Sequence, residues 1–570
     1  MKVSDYIVDF LASKGITDVF GYPGGSVTNL MESFRVNRNS IEAHVVYHEQ
    51  AAAFAACAYA QVTGNVGVAY ATGGPGATNM LTGIGHAFYD SIPTIFLTGN
   101  VNTYERHGDL PIRQKGFQES DIISVASPLT KAALVVDKPE DVRFILEKAY
   151  YIATSGRKGP VLVDLPMDVQ RGEVNPDFLK GYECVPDENI DNIDSIKRIL
   201  YSYLQESERP VFLLGNGIKV SNKRKITKDV IDRVQIPCVT SMLAFDIFNS
   251  NERYYYGFIG AYGHRAANFV LAKSDLVIAL GSRMDIRQVG AKRENFAPGS
   301  KLIRVDLDKG ELSYKVHEDE VDICADLGEV LNALMEISVK NYDGWNKTCS
   351  DIRNELDGLD NQLPNLFVEK ISDCIPKDTI ITTDVGQNQV WVAQSLIVKD
   401  GQEVLFSGGM GAMGYALPAA IGAAYANRDK IITCICGDGG LQMNIQELQY
   451  LVREQLPVKV IVFNNNALGM IRHFQEMYFN NISYQTKKGW GYDTPEFYKI
   501  AKAYGIDSCR INKPEQLEEL QDIFLDKRPA LIEICIDEDT YIIPKLEYGK
   551  PNQDQTPLID RDLYNKLMEL

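Results

Sequence analysis

No stretch of the 570-residue chain approaches the roughly 20 consecutive apolar residues that a membrane-crossing helix needs. Its apolar runs, such as residues 276–280 and 431–436, are the size of single strands. The opening MKVSDYIVDFLASKG breaks its apolar positions with charge, so it lacks the continuous apolar centre of a secretory signal. It also lacks the Arg- and Ser-rich composition of a transit peptide. The ten cysteines include no CxxC pair, which leaves free and mostly buried thiols as the expectation, in a reducing compartment. Positive charge is short as well: 58 Lys and Arg stand against 76 Asp and Glu, a net charge of −18. Nucleic acid and anionic membranes both need a positive face, so neither is an expected partner. An anionic substrate would have to be held by a local group of Arg, Lys or helix N-termini. These absences predict a cytoplasmic protein with reduced thiols.

What is present is ordinary globular composition, 45% apolar and 24% charged, at a length that implies three or four domains. Short β-rich runs alternate with helical patterns, the mark of parallel α/β domains. Residues 4–14 read as an amphipathic helix closed by Gly15, and strands are expected at 18–22, 43–47, 66–71, 94–97 and 161–165. The acidic stretch 186–194 reads as a linker. Further strands are expected at 211–214, 276–280 and 302–306, and a polar helical segment at 342–362. The predicted organisation is three α/β domains at residues 1–180, 190–345 and 365–545, with a tail or flap at 546–570.

The first and third regions resemble each other. Gly73 of ATGGPG precedes Pro93 by 20 residues, and Gly437 of ICGDGG precedes Pro457 by 20. Each proline opens a strand that ends seven residues later in Asn, at Asn100 and Asn464. A duplicated fold with diverged chemistry follows, since one copy carries Asp438 where the other has Gly74.

Residues 431–470 carry the clearest chemistry: strand, GDGG turn, helix, strand, then NNNALG. A right-handed crossover brings the carboxyl ends of both strands side by side, so Asp438 and Asn465 are expected as neighbours. A carboxylate and an amide carbonyl are hard oxygen ligands suited to Mg²⁺. Glycines beside Asp438 let backbone N–H groups approach phosphate oxygens at a helix start. Asn444 followed by Glu447 reads as a capping box for the intervening helix.

On these residues the chain resembles the acetolactate synthase catalytic-subunit group of thiamine diphosphate (ThDP) enzymes over essentially its full length. The matching stretches are GYPGG at Gly21, HEQAAAFAACAYA at His48, ATGGPGATN at Ala71, FQESD at Phe117, GPVLVDLP at Gly159, TTDVGQNQ at Thr382, GGMGAMGYALPAAIGAA at Gly408, GDGGLQMNIQEL at Gly437 and NNNALGM at Asn464. The resemblance implies a pyrimidine-binding domain, a central domain and a diphosphate-binding domain, with the cofactor shared between two chains of a homodimer or homotetramer. It implies that Glu49 bonds the aminopyrimidine ring and that Met413 holds the cofactor bent. Gly24, Thr72, Pro75, Asn79, Gly411 and Gly437 would lie around the cofactor. Asp438 and Asn465, with the Ala467 carbonyl, would hold Mg²⁺; Gly386, Gln387, Asn388, Gly439, Gly440, Leu468, Gly469 and Met470 would surround the diphosphate. Phe117, Gln118 and Arg287 would face the reactants. Arg157, Gly215, Gly217, Arg283, Asp306 and Asp326 match positions that hold FAD in the flavin-containing branch, in a structural role.

The implied reaction is decarboxylation of pyruvate or a similar 2-oxo acid and transfer of the acyl unit to a second carbonyl acceptor, with a regulatory subunit as a further possible partner. Asn388 replaces a common His at a cofactor contact. The other departures fall on the acceptor side, where Met167 replaces a Lys and Phe474 a Trp. The loop 100–116, with Arg106, His107, Asp109 and Arg113, is longer than in anabolic relatives. That loop fits either a surface excursion or a pocket for a larger acceptor such as a keto-sugar nucleotide. A simple decarboxylase and a catalytically silent cofactor-binding subunit are the other readings of the chain.

Overall fold

The computed structural model describes residues 1–184 and 191–570. Among them are three six-stranded sheets in which every strand pairing is parallel. The α/β architecture read from the alternating pattern is therefore present three times. The first sheet consists of β1 (Asp18–Gly21), β2 (Glu42–Val45), β3 (Gly67–Ala71), β4 (Thr94–Asn100), β5 (Ala132–Val135) and β6 (Pro160–Pro166). The second consists of β7 (Pro210–Leu214), β8 (Cys238–Thr240), β9 (Tyr255–Phe258), β10 (Leu276–Leu280), β11 (Lys301–Asp306) and β12 (Val321–Cys324). The third has β13 (Ile380–Thr383), β14 (Glu403–Leu405), β15 (Ile432–Gly437), β16 (Val458–Asn464), β17 (Asp507–Ile511) and β18 (Ala530–Cys535). Central strands such as β4, β10 and β16 are buried along their whole length, as helices on both faces of a parallel sheet require.

The first sheet runs β2-β1-β3-β4-β6-β5 and the third β14-β13-β15-β16-β18-β17. Numbered within each sheet, both read 2-1-3-4-6-5, so the internal repeat of sequence is a repeat of topology. The strand order reverses between β1 and β3 and between β13 and β15, and the crevice at such a reversal receives ligands. The central sheet, β12-β11-β10-β7-β8-β9, reverses instead between β7 and β10.

The first and third sheets share one apolar core. Its spine is the Ala-rich helix Glu49–Thr63 laid against the helix Ala416–Ala426. Small residues allow backbone contact there: a Cβ on Gly422 would stand 2.0 Å from the Ala55 carbonyl oxygen. The central sheet keeps a separate core.

Two expectations change. Of the proposed linker, residues 186–190 lie outside the described residues, while Asn192 caps the helix Ile193–Glu206 through its side chain. The chain end is more than a flap: the helix Arg561–Glu569 buries Leu567 in the central core. Buried Arg265 (4% exposed) anchors the tail by donating to the carbonyls of Gln555 and Pro557. No helix among the described residues is long and apolar enough to cross a membrane. None of the ten cysteines is disulfide-bonded, and seven are buried.

Candidate active site

The loops that leave β13, β15 and β16 converge where the strand order of the third sheet reverses. They form one wall of a cavity of about 1260 Å³. Asp438 opens the turn after β15, and its carboxylate is almost fully buried. Its Oδ1 accepts from the Gly439 N–H at 2.6 Å and its Oδ2 from the Ala467 N–H at 3.2 Å. No Lys or Arg pairs with it among the described residues, and burial lifts it to about 7. Such an oxygen pair favours a cation, because a buried carboxylate without a countercharge is costly to ionise. Asn465 donates through Nδ2 to Gln387 Oε1 at 2.9 Å, which commits its amide nitrogen and leaves its carbonyl oxygen as a possible ligand. Gly469 is needed for this arrangement, since a Cβ there would meet Gln387 Oε1 at 1.8 Å. Gly386, Gln387, Asn388, Gly411, Gly437, Gly439, Gly440, Leu468 and Met470 line the same cavity.

Asn388, which stands where His is common, turns its amide nitrogen to the Asp384 carbonyl at 2.9 Å. The half-buried side chain of Met413 also lines the cavity. Its segment is clamped at both ends. Asp90 accepts from the N–H groups of Gly408 and Gly409 at 2.9 and 2.7 Å. Asp384 accepts from those of Gly414 and Ala416 at 2.9 and 3.0 Å, and burial raises its carboxyl to about 6. Neither clamp was predicted. Asp384 follows a strand in TTDVG, which could have marked it, whereas Asp90 caps the end of the helix Leu81–Tyr89 and leaves no local signal.

The capping box predicted for Asn444 and Glu447 does not form. Asn444 makes no side-chain cap bond and instead bridges Gln50 Oε1 at 3.0 Å and the Gly414 carbonyl at 2.8 Å. Glu447 accepts from the Tyr47 N–H at 2.9 Å. These tertiary partners hold the start of the Glu49 helix, so a spacing that suggests a local cap serves a contact about 400 residues away in sequence.

Glu49 is the first residue of its helix and is 8% exposed. Its Oε2 accepts from Asn79 Nδ2 at 2.9 Å. Gly24 and Thr72 touch closely enough that a Cβ on Gly24 would lie 2.3 Å from Thr72 Cβ, and Pro75 begins the short helix that ends at Asn79. Gln118 adopts a left-handed φ of 64° against Gly74, and Phe117 is 86% exposed. None of these residues lines the cavity that contains Asp438. The sequence-predicted residues thus form two groups on one chain.

The cavity continues onto the reversal point of the central sheet. Gly217, Arg157, Arg283, Arg287, Asp306 and Asp326 line it there. Gly215 lies just behind: a Cβ on it would meet the Gly281 carbonyl oxygen at 2.1 Å. Arg157 is paired with Asp308 at 3.0 Å and with Glu311, and Asp326 caps a helix by accepting from the Gly328 N–H.

The long loop is organised around Glu119, which accepts from the N–H groups of His107 and Lys115 and from the His107 ring, each at 2.7 Å. These bonds outweigh desolvation and draw its carboxyl down to about 2. Arg106 pairs with Asp137 at 2.6 Å. Met167 starts a short helix after β6, and Phe474 is 53% exposed.

Comparison with known proteins agrees with the three-sheet division. Residues 1–125 match the thiamine pyrophosphate enzyme N-terminal TPP binding domain, residues 198–334 its central domain, and residues 384–534 its C-terminal TPP binding domain. The acetolactate synthase isozyme 2 large subunit of Escherichia coli (strain K12) is 33% identical over 564 residues, covering 97% of this chain and 99% of that protein. The probable acetolactate synthase large subunit of Methanocaldococcus jannaschii is 35% identical over 562 residues, 94% of this chain and 92% of that protein. The acetolactate synthase large subunit of Lactococcus lactis is 33% identical over 562 residues, 96% and 94% of the two chains.

Proposed function

Because the chain belongs to the acetolactate synthase large-subunit family of thiamine pyrophosphate enzymes, we propose that it joins two 2-oxo acids with loss of CO₂. The donor is pyruvate and the simplest acceptor a second pyruvate, giving 2-acetolactate. The observation that carries this reading is the buried, cation-seeking Asp438 beside Asn465, in a glycine-lined crevice that also holds Met413.

The donor set fits Mg²⁺ and a diphosphate: Asp438, Asn465 and the Ala467 carbonyl are oxygen ligands, and Gly439 and Gly440 leave room for phosphate oxygens beside backbone N–H groups. When bound, thiamine diphosphate supplies an electron sink for decarboxylation of a 2-oxo acid. The chain itself binds, orients and manages protons. Glu49, held by Asn79, would hold a proton at its carboxylate against the pyrimidine ring; Met413, in a segment fixed by the Asp90 and Asp384 clamps, would offer an apolar support to the bound cofactor. Gln118, with Phe117 beside it, and Arg287 position donor and acceptor. Glu49 and Asp438 lie in separate groups on one chain, which supports a working unit of at least two chains, with each site built from both.

FAD fits the central-sheet part of the cavity, where Gly215 and Gly217 permit close backbone approach and Arg157, Arg283, Asp306 and Asp326 offer charged and polar contacts. Its role would be structural. The relatives are named large subunits, which supports a regulatory small subunit as a partner. Free thiols and the absence of a membrane-crossing helix among the described residues fit a cytoplasmic setting.

The test is product analysis by NMR with ¹³C-pyruvate, ThDP, Mg²⁺ and FAD and no other acceptor. Labelled acetolactate is expected. Pyruvate left untouched would refute the donor assignment, and CO₂ release without acetolactate would refute self-condensation.

A further inference from the structure

Residues 486–494 fold back over the NNNALG loop. The Leu468 N–H donates to the Thr486 carbonyl at 2.8 Å, and Ala467 and Lys487 form an antiparallel bridge. Thr494 donates through its N–H and its hydroxyl to Asn466 Oδ1 at 2.9 and 3.0 Å. Within this strap, Gly489 and Gly491 take φ of 80° and 101°, a path that few other residues could follow. The turn leaves Trp490 48% exposed and sends Tyr492 inward. The Tyr492 hydroxyl is buried and makes no hydrogen bond of good geometry. A Cβ on Gly439 would lie 3.2 Å from it, so the hydroxyl sits on the GDGG turn beside Asp438. A buried hydroxyl needs an acceptor, and the carboxylate of Asp438 is the group that interacts with it.

We propose that Tyr492 is a positioning residue of the cation site, its hydroxyl donating to the Asp438 carboxylate and fixing it in the orientation that binds the metal. Of the two Asp438 oxygens, Oδ1 is held by the adjacent Gly439 N–H at 2.6 Å and Oδ2 by the Ala467 N–H at the longer 3.2 Å, so a further donor has a clear task. The strap is the means of delivery: it ties the tyrosine to the same loop that carries Asn465 and Ala467. One aromatic residue thereby links the turn after β15 to the loop after β16.

The proposal rests on the reading of Asp438 as a Mg²⁺ ligand, and its test separates the two. Protein fluorescence would follow ThDP binding while Mn²⁺ is titrated, with bound Mn²⁺ counted by electron paramagnetic resonance. Tyr492→Phe keeps the ring and removes only the hydroxyl. It is expected to raise the Mn²⁺ concentration needed by about 10-fold, with wild-type ThDP affinity recovered at saturating metal. An unchanged metal requirement would overturn the proposal. So would a loss of ThDP affinity that persists at saturating metal, which would assign the hydroxyl to the diphosphate instead. Wild-type protein that binds ThDP without regard to metal would overturn the Asp438 reading itself. Equal thermal unfolding of the two metal-free proteins excludes a general packing defect as the cause.

Discussion

Replacing Glu447 with Gln should make the protein more stable at alkaline pH, by a margin that narrows to about 1 kcal/mol near pH 5. The Glu447 carboxyl is fully buried, its Oε1 accepts from the Tyr47 N–H, and its Oε2 has no partner. Burial raises it from an ordinary 4.5 to about 8, against the opposing pull of Arg453 and of the backbone bonds from Tyr47 and His48. The folded chain therefore keeps this proton up to about pH 8, while the unfolded chain releases it near 4.5. Stability from this group is complete below about pH 4.5, declines between 4.5 and 8, and is absent above. The displacement corresponds to about 5 kcal/mol at most. Gln copies the neutral acid at every pH, with its carbonyl toward Tyr47 and its amide in the place of Oε2. The buried carboxyls of Asp384 and Asp438 titrate in both proteins and cancel in the difference. The assay is the midpoint of thermal unfolding of wild type and Glu447→Gln from pH 5 to 9. The gap should open as pH rises and reach several degrees. A gap that does not change with pH, or a variant that is weaker at pH 9, would refute the reasoning.

Glu49→Gln is expected to bind ThDP with little change and to lose about 10²- to 10⁴-fold in turnover; steady-state product formation beside a ThDP titration checks it, and full activity would remove the assigned role. Gly422→Ala drives a methyl against the Ala55 carbonyl oxygen, which would stand 2.0 Å away, at an expected cost of about 1–3 kcal/mol or more. A lower unfolding midpoint should report it, and an unchanged one would show that the two helices can part without penalty.

Much of this structure is legible in sequence because local signals agree with the fold. The run 276–280 is a strand with the predicted limits, and the spacing shared by residues 73–100 and 437–464 reflects a shared strand order. Asp438 and Asn465 line one cavity because crossover handedness leaves few other placements. What local sequence does not encode depends on contacts distant in the chain. Asp90, at the end of the helix Leu81–Tyr89, reaches Gly408 more than 300 residues away, and Glu447 serves Tyr47 instead of its own helix, where an available tertiary donor outcompetes a local cap. The tail helix was obscured by surrounding Pro, Asp and Gln, although its apolar face is anchored by Leu567. Tyr492 lies in a Gly-rich polar turn, where nothing in composition distinguishes an inward ring from an exposed one.

The separation of Glu49 from the cavity that holds Asp438 has a genetic counterpart. When each centre draws one half from each of two chains, two inactive proteins can repair one another. Unfolding and refolding Glu49→Gln together with Asp438→Ala in equal amounts would make half of the pairs mixed. Each mixed pair would carry one centre with both defects and one with neither. About a quarter of wild-type activity should return, from a mixture in which no single polypeptide can work. Centres contained within one chain would return nothing, so a simple complementation assay counts how many chains make one active site.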